Sequence, residues 1–159
     1  MFKNFILFLL IIVTSTTFSQ EKKSIEAIRI NTPPKIDGTL DDEIWQSLPV
    51  ATDFNMFQPG NEGNITPEYQ TKVKLAYDDN AVYIAAYMLD PNPEDILSQL
   101  SQRDEVFVQA DLFYVALNTF NDGINETRFY VTSAGTIGDS KSSQNRDDFN
   151  YNVVFNCKI

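Results

Sequence analysis

The sequence predicts an all-β fold, an antiparallel β-sandwich with two short helical segments. Three observations predict it. Short runs in which apolar and polar residues alternate recur along the chain, separated by clusters of Asn, Asp, Gly and Pro. Two segments alone carry apolar residues at helical spacing. With 43% apolar and 21% charged residues in 159 positions, the composition is that of one packed domain, not of a disordered chain.

The elements follow in order. Residues 1–19 read as a cleaved secretory signal peptide: Lys3 supplies the basic start, residues 5–13 are unbroken apolar, and Thr17 and Ser19 are small residues at the −3 and −1 positions. That apolar run falls well short of the roughly 20 residues a spanning helix needs. Residues 20–24 are a polar tether, and residues 25–159 form the domain. Residues 25–30 alternate weakly, as an edge strand does, and Pro33 and Pro34 stop them because neither can donate to a ladder. Asp37 and Gly38 make a turn, with Gly38 free to take positive φ. Thr39 caps a helix of about two turns in which Leu40, Ile44, Trp45 and Leu48 share one face, and Pro49 ends it. Residues 71–77 and 82–88 alternate on either side of Asp78, Asp79 and Asn80, which predicts a β-hairpin. Asn92 caps a second helix over 93–102, with Ile96, Leu97 and Leu100 inward. Residues 111–118 are apolar on both faces and are expected in the centre of a sheet. Residues 127–133 alternate, with Phe129 and Val131 opposite Arg128, Tyr130 and Thr132. Residues 137–148 read as a polar loop. Residues 151–159 alternate as a last strand, and the sequence stops within that signal, so the sandwich is expected to be incomplete at its C-terminal strands.

Charge and missing residue types exclude several function classes. A formal charge of −10 argues against nucleic acid and anionic membrane surfaces, both of which require a basic patch. The chain has no histidine, which removes Ser-His-Asp and Cys-His catalysis, His-type zinc sites and His-ligated haem. Its one cysteine, Cys157, has no partner for an internal disulfide and reads as a small buried residue in an alternating strand.

Four fragments then carry a resemblance. Residues 36–49, IDGTLDDEIWQSLP, resemble the hydrophobe-Asp-Gly-x-Leu-Asp-Glu-x-Trp opening of family 9 carbohydrate-binding modules and their relatives. Residues 71–93, 101–123 and 128–140 are similar to the hairpin, the Arg-Asp…Asp-x-Phe stretch and the strand-Gly-x-x-x-Asp that follow in that family, in the same order. The resemblance extends to exported bacterial proteins in which such a module precedes a C-terminal, barrel-like outer-membrane region. It implies a jelly-roll-like sandwich that binds an oligo- or polysaccharide without catalysis, within a larger protein concerned with polysaccharide breakdown or uptake. The location implied is the periplasm, outer membrane or cell surface, and some members hold structural calcium. Related sandwiches bind b-type haem through His or Met, but beyond the leader this chain offers only Met56 and Met88.

Sugar recognition requires flat apolar faces for the C–H side of a pyranose, with carboxylates, amides and Arg for its hydroxyls. Well-studied family members grip sugar between two tryptophans, whereas this chain has one, Trp45, which reads as a core anchor beside the Asp37–Gly38 turn. Where barrel-linked relatives show Trp-x-x-x-Trp, this chain has Tyr151 and Phe155. These two, with Tyr83 and Tyr87, are the stacking candidates; Phe57, Tyr69 and Tyr130 are further aromatics expected to be exposed. Arg103, Asp104 and Asp111 are candidates for the hydroxyls, and an Arg103 ion pair that orders its loop is the structural reading of the same residues. No motif calls for a cofactor; Asp78, Asp79 and Asp122 are the oxygen donors that would suit calcium. Hydrolysis needs two carboxylates facing each other across a glycosidic bond, and no local motif fixes such a pair. The alternative function is a structural domain that packs on a C-terminal membrane barrel without binding sugar.

Overall fold

The computed structural model describes residues 23–57, 65–144 and 146–159; the expected leader, and the tether up to residue 22, lie outside them. Among the described residues seven strands form two sheets, one of three strands and one of four. The expected all-β sandwich is what is found, with very little helix. Among the described residues no helix is long and apolar enough to cross a membrane.

The expected first strand shrinks to β1 (Ile28–Arg29), which runs parallel to β2 (Thr71–Tyr77) through Ile28↔Ala76 and Arg29↔Tyr77. The first helix is also shorter than expected: α1 is Glu43–Ser47, preceded by Asp42. Thr39 does not cap it. Its N–H and hydroxyl both donate to Asp37 Oδ1, at 3.0 and 2.7 Å, closing a turn around Gly38 at φ +88°. That turn takes the would-be cap out of play and leaves Leu40 outside the helix.

β2 and β3 (Val82–Met88) form the predicted hairpin, in register from Thr71↔Met88 to Tyr77↔Val82. Asp78 closes it by accepting the N–H groups of Asn80 and Ala81 at 2.7 and 2.8 Å. Trp45, Leu48 and Ile30 bury themselves against Ala76 and Ala85, with Ile28, Ile44 and Tyr83 around them. Two alanines under the indole let α1 approach the sheet closely, and burying a side chain of this size stabilises by some 2–3 kcal/mol.

Residues 93–102 do not form the expected helix. Only a 3-10 turn, Pro93–Asp95, appears. Residues 97–99 are drawn instead into extended pairing with residues 109–111: Asp111 N–H donates to Leu97 O at 2.8 Å and Gln99 N–H to Gln109 O at 3.0 Å. A ladder over this stretch satisfies the backbone groups that a helix would have used.

The second sheet joins β4 (Leu112–Leu117), β5 (Asn125–Thr132), β6 (Ile137–Ser143) and β7 (Arg146–Asp148), all antiparallel. β4 lies at its edge, not at its centre. Its apolar residues have uses on both sides: Tyr114 joins a group of rings, and Leu112 and Phe113 line a cavity of about 830 Å3 with Met88, Ile96, Val131 and Ile159. The expected polar loop at 137–148 is instead β6 and β7. Three of its polar residues, Asp139, Ser140 and Ser142, are buried, and Asp139 and Ser140 find hydrogen-bond partners inside the protein. Residues 151–159 keep the alternation predicted for them but join neither sheet. At Val153 side chains take the place of ladder partners: its N–H donates to Asp139 Oδ2 and its carbonyl accepts Arg103.

Candidate functional site

Directly paired residues of neighbouring strands share a sheet face. The register therefore puts Tyr114 of β4, Glu126, Arg128 and Tyr130 of β5, Ser140 and Ser142 of β6, and Asp147 of β7 on one face of the four-stranded sheet. Tyr130, expected to be exposed, is 2% exposed and forms the floor, with its hydroxyl 3.2 Å from Ser140 Oγ. Three other rings surround it. Tyr114 and Phe149 lie tilted over it at centroid distances of 5.6 and 5.7 Å, and Phe107 meets it edge-on at 5.8 Å. Phe107 also meets Phe149 edge-on at 6.0 Å. Phe107 and Tyr114 remain 68% and 52% exposed, so flat apolar surface faces solvent.

Arg128 borders the rings. Its Nε and Nη2 both lie 2.9 Å from Glu126 Oε2, while Nη1 reaches Asp147 Oδ1 and Oδ2 at 3.0 and 3.2 Å. Its guanidinium carbon stands 6.0 Å from the Tyr114 ring centre. Burial works against its charge, but the bonds it donates to Glu126 and the nearby Asp147 outweigh this and raise its pKa above the ordinary value. The result is a fixed fork of donors between two carboxylates, beside a set of rings. Such a surface supplies C–H stacking and hydroxyl recognition side by side.

The sequence-derived candidates lie elsewhere. Phe155 packs edge-on against Phe129 at 5.2 Å, with the Arg103 guanidinium 5.7 Å from its ring. Phe129 points to the face opposite Tyr130, so Phe155 is not among the rings just described. Lys141 Nζ stands 4.5 Å from the Tyr151 ring centre. Arg103 pairs with Asp139 and donates to Val153 O at 3.1 Å, and Asp104 accepts the Asp139 N–H at 3.1 Å. Asp111 is exposed at the cavity rim. On the other sheet, the Tyr83 hydroxyl donates to Asp78 at 2.9 Å, and Tyr87 is 56% exposed. The structure thus gathers Tyr151, Phe155, Arg103 and Asp104 near β6, and leaves Asp111, Tyr83 and Tyr87 apart from them. Phe57 and Tyr69 are exposed.

Sequence reasoning missed Phe107, Tyr114, Phe149 and the Glu126–Arg128–Asp147 fork. A signal existed for part of it, because Glu126, Arg128 and Tyr130 stand at alternate positions of one strand.

The calcium candidates sit in two turns, Asp78 and Asp79 in one, where Asp79 pairs with Arg29, and Asp122 in the other. Asp78 closes the β2–β3 turn, and Asp122 accepts Ile124 N–H, Asn125 N–H and Asn125 Nδ2 in the β4–β5 turn. Among the described residues no three Asp, Glu, His or Cys side chains converge as a metal site. Burial pushes the Cys157 thiol above its ordinary pKa, away from the reactive thiolate.

A sheet face that presents rings beside a hydrogen-bonding fork makes this chain a β-sandwich domain with one ring-bearing side. The chain belongs to the carbohydrate family 9 binding domain-like family, whose model matches residues 36–156. Comparison with curated proteins finds no match, and comparison with solved structures finds none either.

Proposed function

We propose that this chain is the non-catalytic carbohydrate-binding module of an exported protein, and that it seats an oligo- or polysaccharide on the ring-bearing face of the four-stranded sheet. The observation that carries this reading is the juxtaposition of exposed Phe107 and Tyr114 with the Arg128 fork. A pyranose laid on those rings exposes its apolar side to them and brings its equatorial hydroxyls toward Glu126, Arg128 and Asp147. The lone tryptophan does not argue against it, since Trp45 is buried in the other sheet's core and stacking here falls to Phe and Tyr. The wider reading is that the module serves a larger protein of the periplasm, outer membrane or cell surface in polysaccharide breakdown or uptake. The apolar cavity that includes Ile159 favours a second reading, packing against a C-terminal barrel of the same protein.

Calorimetric titration with xylan, cellulose and glucan oligosaccharides tests the proposal. Binding is expected to be exothermic, and Tyr114→Ala and Phe107→Ala are each expected to weaken it about five- to tenfold, the worth of roughly 1 kcal/mol of ring contact. A folded protein that gives no heat with any of these sugars would overturn this reading in favour of the packing domain.

A further inference from the structure

β7 covers only residues 141–143 of β6, and among the described residues no strand pairs with residues 137–140 on that side. Asp139 stands on this stretch, on the sheet face away from the rings, and its side chain is fully buried. Three polar contacts converge on it. Oδ1 accepts the Arg103 guanidinium, Oδ2 accepts the Val153 N–H at 2.8 Å, and its own N–H donates to Asp104 Oδ1 at 3.1 Å. Arg103 closes the group by donating to Val153 O at 3.1 Å, and Asp104 N–H bonds Ile137 O at 3.1 Å.

Two segments are therefore fastened along one edge, and each carries a ring of the candidate face. Phe107 follows Arg103 and Asp104 on the first; Phe149 precedes Val153 on the second, where the chain passes from the ring side of β6 to the other. Gly138 shows how closely the first segment lies: a Cβ there would come 2.9 Å from Val106 Cγ1 and 3.1 Å from Asp104 Cα. We infer that Asp139 is a positioning residue for ligand binding: by holding Arg103 and Val153 on one buried carboxylate, it sets where Phe107 and Phe149 stand over Tyr130. This rests on the reading that those rings receive sugar. Both carboxylate oxygens are used as acceptors, each by a different segment. A neutral amide in their place would turn an N–H group toward one of the two donors and leave Arg103 without its counter-charge.

The test compares the unaltered chain with Asp139→Asn, with Arg103→Lys as a milder second variant and Leu48→Ala as a control in the other sheet's core. Asp139→Asn is expected to speed exchange of the Val153 amide roughly tenfold relative to the β5 amides, as a selectively opened segment does. It should also weaken the nuclear Overhauser contacts of Phe107 and Phe149 with Tyr130. Its Kd for a xylo- or cello-oligosaccharide should rise about fivefold, and that rise should shrink markedly in a Phe149→Ala background, the mark of a shared effect. Arg103→Lys should show the same pattern, smaller, and decides the matter if Asp139→Asn does not fold. Leu48→Ala should lower the melting temperature without a selective change at Val153 or in Kd. Unchanged Val153 exchange and ring contacts, or a rise in Kd that persists undiminished without Phe149, would overturn the inference. No sugar binding by the unaltered chain overturns the sugar reading alone, while the exchange and ring contacts still decide whether Asp139 holds the two segments.

Discussion

Trp45 and Tyr114 are both large aromatics of this chain, and their surroundings give them different work. Trp45 is 3% exposed, held over Ala76 and Ala85 with Ile30 and Leu48 beside it. Tyr114 stands half out of the opposite sheet's face, against Tyr130 and beneath the Arg128 guanidinium. Truncating a buried ring removes its transfer free energy and leaves a cavity, so Trp45→Ala should cost about 3–5 kcal/mol. That is a large share of a small domain's stability, and urea unfolding followed by far-ultraviolet circular dichroism would measure it. The same geometry makes a second point. Trp45 is the only tryptophan in the chain and lies in the core of the sheet that does not carry the ring face. Its fluorescence should therefore stay unchanged in a sugar titration that gives heat. A shift of that emission in step with binding would move the sugar site to the three-stranded sheet.

At the scale of elements, the turns are held by aspartates. Asp122 gathers the Asn125 and Ile124 N–H groups and the Asn125 amide, and these bonds pull its pKa from 3.8 down to about 2. A carboxyl with a folded pKa below its unfolded one adds stability that is fully present above the unfolded value and is lost as pH falls through the folded one. The β4–β5 turn should thus loosen between about pH 4 and pH 2. Asp122→Ala should lower the melting temperature at neutral pH and lose most of that difference by pH 2, as calorimetry across the range would show. Asp78, lowered by the N–H groups of Asn80 and Ala81, gives the β2–β3 turn a dependence of the same sign. The β2–β3 turn was legible in the sequence because local bonds decide it, and so were the hairpin strands it joins. Residues 137–148 were not. Asp139 and Ser140 look like loop residues until distant partners, Arg103, Tyr130 and Val153, absorb their polarity. The final segment shows the converse: its alternation was read correctly, but its bonds go to side chains, which a period cannot reveal. The ring face divides in the same way. Glu126, Arg128 and Tyr130 share a face by strand periodicity alone, whereas Phe107 and Phe149 lie outside the strands and reach Tyr130 only through the long-range contacts at the β6 edge.

For the molecule as a whole, the charge of −10 sets what kind of polymer can approach. Sugar stacking is insensitive to salt, because ring and C–H contacts carry no net charge. Attraction or repulsion at longer range is screened over a Debye length of about 10 Å in ordinary buffers. A neutral glucan or xylan chain should thus bind with nearly the same Kd at low and high ionic strength. A uronic-acid polymer brings its own carboxylates to an acidic protein, and near the ring face it meets Glu126 and Asp147 as well as Arg128, whose charge those two already offset. Its binding should be weaker than that of the neutral chain at low salt and should strengthen as salt is added, the reverse of a site built on cation–anion attraction. Affinity electrophoresis in gels cast with neutral or acidic polysaccharide, at two salt concentrations, separates the cases. Tight binding of the acidic polymer that fades with salt would mean that Arg128 is free to act as an anion site, and that the fork of Glu126 and Asp147 around it opens when ligand arrives.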